Sequence, residues 1–304
     1  MKAPDPVFAG VELGGTKCIA ILARDGQILQ RAQWPTGDDP AFTLGTIATW
    51  LATAARDDPF AALGIASFGP LCLDPASPDY GRILNTPKPG WSQADIVSGI
   101  AGRFDVPVAL ETDVAGAALA EGRWGASIGC AVHAYLTIGT GIGGGIVIDG
   151  KPLHGRFHPE MGHVRVRRAV GDRFAGICPI HGDCLEGLAS GPAIAARAGQ
   201  AADTLPPTDP LWNWVAEEVA GLMSSLILTL SPHRIVIGGG VGQGQPVLLP
   251  LIHQATARLL GGYLPGHSLG ALEKVIVPPK LGADSGTFGA IAVAMANFAD
   301  RWAP

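Results

Sequence analysis

Short apolar runs separated by glycine turns set the rhythm of the chain. Residues 7–12, 18–24 and 27–36 each read as a strand. "LGGTK" turns the first into the second, and Asp25-Gly26 gives a hairpin signal before the third. A segment rich in Ala, Leu and Thr, 42–56, predicts a helix. Residues 62–67 return to strand, and a proline-rich loop covers 75–91. A helix at 93–104, a strand at 107–111 and an alanine-rich helix over Asp113–Trp124 complete the first half.

The second half restarts the same way. Val132–Ile138 reads as a strand, "GTGIGGG" as a turn, 145–148 as a strand and Asp149-Gly150 as another hairpin turn. Gly15-Thr16 and Gly139-Thr140 each precede an Asp-Gly pair by ten positions, so the two patterns are offset by 124 residues. A repeat of that length predicts duplicated domains, not a solenoid. Further on, "IVIGGGV" ends a strand, and a helix is expected to begin near Pro246.

Gly139-x-Gly141-x-x-Gly144 matches a dinucleotide fingerprint. That fingerprint requires a helix directly after the glycine turn, its N-terminus aimed at the pyrophosphate. Here the glycines run into "IVIDG", a strand and hairpin, which argues against a nicotinamide cofactor. The first glycine run has Thr16 where a P-loop needs Lys, and it too leads into a strand. A strand-turn-strand can still cradle phosphate with its backbone amides. A plain tight hairpin without a ligand is the alternative for either loop alone. Two such hairpins, one per domain, on opposite walls of a cleft would hold one nucleotide from both sides. That is the layout of the actin-like ATPase fold, a two-domain α/β architecture with its ligand cleft between the domains.

Composition narrows the partners. The 304 residues are 47 % apolar and 15 % charged, enough for a large core. Glycine supplies 43 positions, about double the usual share, which suits tight turns and close approach of backbone to ligand. A net charge of −5 without a basic run argues against nucleic acid. No apolar stretch is long enough for a membrane span, and "MKAPDPVFAG" carries no signal-like core. Five cysteines, an odd and sparse set, point to a reduced, cytoplasmic setting.

Two constellations carry chemistry by themselves. Asp113 follows a strand and opens a helix, where free amides and the macrodipole favour the ionised carboxylate; a plain helix cap fits the same position. Cys178-x-x-His181-x-x-Cys184 sets three metal-type ligands within seven residues, and His163 can complete a tetrahedral site. Zinc, a redox pair and an incidental cluster all stay open on spacing alone.

Seven stretches in order, "GVELGGTK", "NTPKPGW", "ETDVAGAALAEG", "TIGTGIGGGIVIDG", "HPEMGHVRV", "CPIHGDCLEGLASGPA" and "IVIGGGV", resemble the ROK (repressor, open reading frame, kinase) sugar kinases. Within them the chain is most similar to the zinc-containing bacterial fructokinases. The resemblance implies an N-terminal actin-like domain over 1–118 and a C-terminal one over 119–304, with the last helix, about 285–304, packing back on the first. It implies transfer of phosphate from ATP to D-fructose, giving fructose 6-phosphate, with Mg²⁺ and a structural Zn²⁺. Asp113 becomes the base for the sugar hydroxyl. Gly14, Gly15, Thr16 and Lys17 become the first phosphate loop, Thr140 and Gly141 the second. Pro192 and Gly238, Gly239, Gly240, Val241 and Gly242 line the adenosine. Glu12, where many relatives have Asp, would hold Mg²⁺ through water, or else cap a strand end.

His163, Cys178, His181 and Cys184 become the zinc ligands. Relatives often use three Cys and one His, so this set points to the fructokinase branch. Asn85, Thr112, Glu160, His163 and Glu186 join Asp113 as sugar contacts; Asn85 suits a loop turn equally, and Glu160 and Glu186 also read as exposed glutamates. Ala115 replaces an Asn common in family fructokinases. The other histidines, His133, His154, His158, His233, His253 and His267, receive no role. A homodimer is expected by resemblance. A mannose or glucose kinase of the same family is the alternative. A sugar-responsive repressor is disfavoured, because only nine residues precede Gly10. A catalytically dead sugar binder would lack the base or a phosphate loop, and neither is missing.

Overall fold

The computed structural model describes residues 5–24, 26–168 and 171–302; the hairpin signal at Asp25 falls outside these. Among the described residues ten strands form two five-stranded sheets. The first holds β1 (Val7–Leu13), β2 (Lys17–Arg24), β3 (Gln27–Pro35), β4 (Phe60–Ser67) and β5 (Val108–Thr112). The second holds β6 (Val132–Ile138), β7 (Ile142–Ile148), β8 (Lys151–Pro152), β9 (Arg234–Gly238) and β10 (Ile276–Val277).

The strand orders are β3-β2-β1-β4-β5 and β8-β7-β6-β9-β10. In each sheet two antiparallel hairpins lead into two parallel pairings. The sheets therefore share one topology, as the 124-residue offset predicts. β1 is buried on both faces while the edge strand β3 alternates, as a covered centre and a half-open edge require.

The chain divides into two compact units. One runs to Trp124 and adds Leu153–His158 and the segment from Asp284 onward; the other comprises Gly125–Pro152 and Pro159–Ala283. The helix Asp113–Trp124 stays whole within the first unit, so the division falls after Trp124 and not at residue 118.

One face of the first sheet packs on the helix Pro40–Ala54 through Leu44, Ile47 and Leu51. Asp39 caps this helix by accepting the Phe42 N–H at 3.1 Å, and Pro40 takes its first turn, so it starts earlier than 42. The helix expected at 93–104 shortens to Ile96–Ala101, because Asp95 caps it and Gly102 ends it. The other face packs on the helix Ser285–Trp302. Gly10 and Gly64 are register partners beneath it. A Cβ on Gly64 would lie 2.0 Å from the Ala290 carbonyl oxygen. The glycines thus let helix backbone rest directly on the sheet.

In the second unit β7 extends back to Ile142, and Asp149 and Gly150 both take positive φ, 48° and 77°, making the two-residue turn into β8. The glycines after β9 form a short helix of their own, Gly239–Gly244, and the next helix is Leu248–Leu260.

Candidate active site

Parallel register assembles the first group of residues. Leu13 pairs with Ser67, and Ser67 with Thr112, so β1, β4 and β5 end together. Glu12 and the Gly14–Lys17 turn therefore share a sheet end with Thr112 and Asp113. The ends of parallel strands, where helices begin, are the usual place for ligand-binding groups in such sheets.

Gly14 N–H closes the turn on the Lys17 carbonyl at 2.9 Å, and the Thr36 hydroxyl donates to the Gly14 carbonyl at 2.6 Å. Neither Gly14 nor Gly15 has positive φ. A Cβ on Gly15 would meet no protein atom within 4 Å. Backbone strain and packing thus give no reason for glycine at this position. Asn85 is exposed on its loop in the same unit.

Thr112 caps the following helix, its hydroxyl accepting the Ala115 N–H at 3.2 Å. Asp113 accepts the N–H of Val114 at 2.9 Å and remains partly exposed. The helix-terminus argument alone would keep this carboxyl readily ionised. Instead burial pushes its pKa up to about 6, and the charge of Glu12 acts in the same sense, outweighing the amide hydrogen bond. Burial also raises Glu12, against the Thr287 hydroxyl, which donates at 2.6 Å, and the charge of Lys17. Burial and mutual repulsion leave Glu12 in need of positive charge, and a carboxylate oxygen is the kind of donor that Mg²⁺ takes, directly or through water.

In the second unit the β6–β7 turn is closed by Gly139 N–H donating to the Gly141 carbonyl at 2.9 Å. It is a hairpin, with Ile138 opposite Ile142, and no helix follows the fingerprint. Gly191 N–H donates to the Gly139 carbonyl at 2.7 Å, which brings the helix start bearing Pro192 beside Thr140. Gly239 has φ 86°, and a Cβ there would lie 2.4 Å from the Ile138 carbonyl oxygen, so only glycine fits. A Cβ on its neighbour Gly240 would meet nothing within 4 Å. Thr140, Gly141, Pro192 and 238–242 are thus gathered at one end of the second sheet.

The metal-type residues also converge. Ligand atoms of His163, Cys178, His181 and Cys184 all lie within 4.8 Å of one another. Cys178 Sγ is 3.8 Å from Nδ1 of both His163 and His181, and Cys184 Sγ is 3.5 Å from His163 Nδ1. Tetrahedral zinc, with bonds near 2.3 Å to S and 2.0 Å to N, separates such donors by about 3.6 Å. The cluster fits. Its loop is shaped by reciprocal backbone bonds between Cys178 and Gly182, at 3.1 and 2.9 Å. On Gly187 a Cβ would meet the Gly182 carbonyl oxygen at 2.0 Å, so this loop packs directly on the helix Leu185–Ala189.

Glu186 accepts the Ile142 N–H at 2.9 Å and so braces the second glycine turn. Glu160 is exposed just before the short turn Met161–His163. Gly162 sets that turn against the start of β7, because a Cβ there would collide with the Ile142 carbonyl.

Three features escape a reading of the sequence. Arg197, buried, pairs with Glu218 at 2.8 Å and Asp172 at 2.5 Å, fastening the segment ahead of the metal loop to two helices. His158 accepts the Leu71 N–H at 3.0 Å. His154 Nε2 lies 2.8 Å from Glu111 Oε2. Glu111 immediately precedes Thr112-Asp113, the one local signal available.

The sequence pattern of the ROK family matches residues 8–297, and the chain belongs to this family. A fructokinase of Zymomonas mobilis is 44 % identical, over 97 % of this chain and 99 % of that one. A putative fructokinase of Bacillus subtilis is 39 % identical, over 95 % of each. The crystal structure of a ROK hexokinase from Thermus thermophilus superposes with a TM-score of 0.79 at 27 % identity, over 97 % of this chain and 99 % of that one. The fold is that of the actin-like ATPases. Among the described residues no helix is long and apolar enough to cross a membrane.

Proposed function

We propose that the protein is a fructokinase, transferring the γ-phosphoryl group of ATP to the 6-hydroxyl of D-fructose. The observation that carries this reading is the 44 % identity with a fructokinase along nearly the whole of both chains. Phosphoryl transfer needs positioning and charge neutralisation more than covalent help. Asp113 accepts the proton of the attacking hydroxyl; a pKa of about 6 leaves it ionised yet basic at neutral pH. The turns at Gly14–Lys17 and Thr140–Gly141 bind phosphate through backbone amides, and the open face of Gly15 leaves room for it. Lys17 offsets phosphate charge. Pro192 and 238–242 hold the adenosine.

Glu12 would hold Mg²⁺ through water, and the ion would supply charge neutralisation on the phosphate oxygens. The four Cys and His ligands hold a structural zinc that fixes the loop between Glu160 and Glu186, and these two carboxylates, with His163, Asn85 and Thr112, orient the sugar. The enzyme works as a homodimer in the reducing cytoplasm, where its cysteines stay free of disulfides.

Coupled ADP release with fructose, mannose, glucose and N-acetylated hexoses, with and without Mg²⁺, tests the assignment. The highest kcat/KM is expected with fructose, and only with Mg²⁺. Equal or better use of glucose would replace it by the broader hexokinase reading.

A further inference from the structure

We propose that His154 is a positioning residue for Asp113, acting through Glu111. The Glu111 side chain is 6 % exposed and needs a partner for each oxygen. Oε1 accepts the N–H of Thr112 at 2.7 Å, and Oε2 meets His154 Nε2 at 2.8 Å. Thr112 is the residue that caps the Asp113 helix, so one short chain of bonds runs from His154 to the backbone that carries the base.

The imidazole reaches this place by an unusual route. It lies in Leu153–His158, a segment that follows β8 in sequence yet belongs to the first unit. His158 anchors the far end of the segment on Leu71. The bond to Glu111 raises the affinity of His154 for its proton, so donation to the carboxylate is favoured. Tyr80 lies in the field of Glu111 as well, its hydroxyl pushed up first by burial and then by that charge. The imidazole is itself 37 % exposed, so removing it opens Oε2 to water, and Glu111 is free to turn towards that water and loosen its hold on the Thr112 N–H.

The proposal rests on the kinase reading above. Its test is a mutant cycle in the fructose assay, reading kcat and both KM values. His154→Ala is expected to lower kcat by roughly 10- to 10²-fold, the scale of a small misplacement of a reacting group, with both KM values within about twofold. His154→Leu, which keeps bulk without a donor, should match it, so the cycle stands if either variant folds. His154→Gln, whose amide donates, should recover most of the loss. In an Asp113→Asn background either apolar substitution should change kcat by less than about twofold, because the base it positions is gone. The proposal is overturned by an equal fold-loss in both backgrounds, by a change in KM alone, or by a glutamine variant as impaired as the apolar ones. Wild-type protein without fructose-dependent ADP release would instead remove the kinase reading itself.

Discussion

The two sheets are the same device put to different uses. Both run two hairpins into two parallel strands, and both carry a glycine turn after the first strand. In the first, the β3–β4 connection is essentially one helix, Pro40–Ala54, and the acidic groups Glu12 and Asp113 sit on the strand ends. In the second, the β8–β9 connection stretches from residue 153 to 233 and carries the His154 segment, the metal-type cluster and three helices. The duplicated scaffold fixes where strand ends lie. The stretch inserted between β8 and β9 in one copy, and the acidic groups on the strand ends of the other, set what each copy offers to a ligand.

The division of labour is most exposed to test at Asp113. Asp113→Asn keeps the volume and removes the proposed base, so turnover should fall by roughly 10²–10⁴-fold with the fold intact. Near-normal turnover in the purified variant would move catalysis away from the first sheet. The insertion is tested next by metal analysis. About one zinc per chain is expected. If the metal stands a thousandfold above its dissociation constant, chelation should cost about 4 kcal/mol, on the order of 10 °C in melting temperature. A metal-free preparation that melts and turns over like the native protein would strip the insertion of its proposed role.

Much of this contrast is legible in the sequence, because its signals act over a few residues. Glycine turns, Asp-Gly pairs and the Cys-x-x-His-x-x-Cys spacing specify their own geometry locally. The rest is set by distant partners. The helix Ser285–Trp302 lies on Gly10 and Gly64, and nothing near residue 290 announces that. Asp113 is read from its neighbours as a readily ionised helix-end carboxylate, yet burial and Glu12, 101 residues earlier, reverse the sign. Glu111 and His154 are 43 residues apart and on different strand systems, so each alone looks ordinary.

Glycines sharpen the comparison at a smaller scale. Gly64→Ala would place its methyl 2.0 Å from the Ala290 carbonyl oxygen and 2.5 Å from the Ala294 nitrogen. The helix must shift, at about 1–3 kcal/mol, visible as a lower melting temperature. Gly15→Ala and Gly240→Ala meet no protein atom within 4 Å and should leave stability within about 0.5 kcal/mol of wild type. Their effect should appear in the KM for ATP instead. A stability loss at Gly15 equal to that at Gly64 would mean that both are packing glycines, and the phosphate argument for the first turn would fail.

The mildest perturbation is protonation of Asp113. With its pKa near 6, kcat/KM for fructose should be flat above pH 7 and fall about tenfold per pH unit below 6, reaching roughly a tenfold loss at pH 5. Stability should move the opposite way. Between the unfolded carboxyl value near 4 and the folded value near 6, the native protein binds the extra proton, so this group favours folding at acid pH and loses that contribution as pH rises through the window. Asp113→Asn, which never ionises, should therefore melt above wild type at pH 7.5 and converge with it near pH 4. The same melting difference at both pH values would show that the carboxylate is not held in a low-dielectric place, and that Glu12 and burial do not set its affinity for the proton.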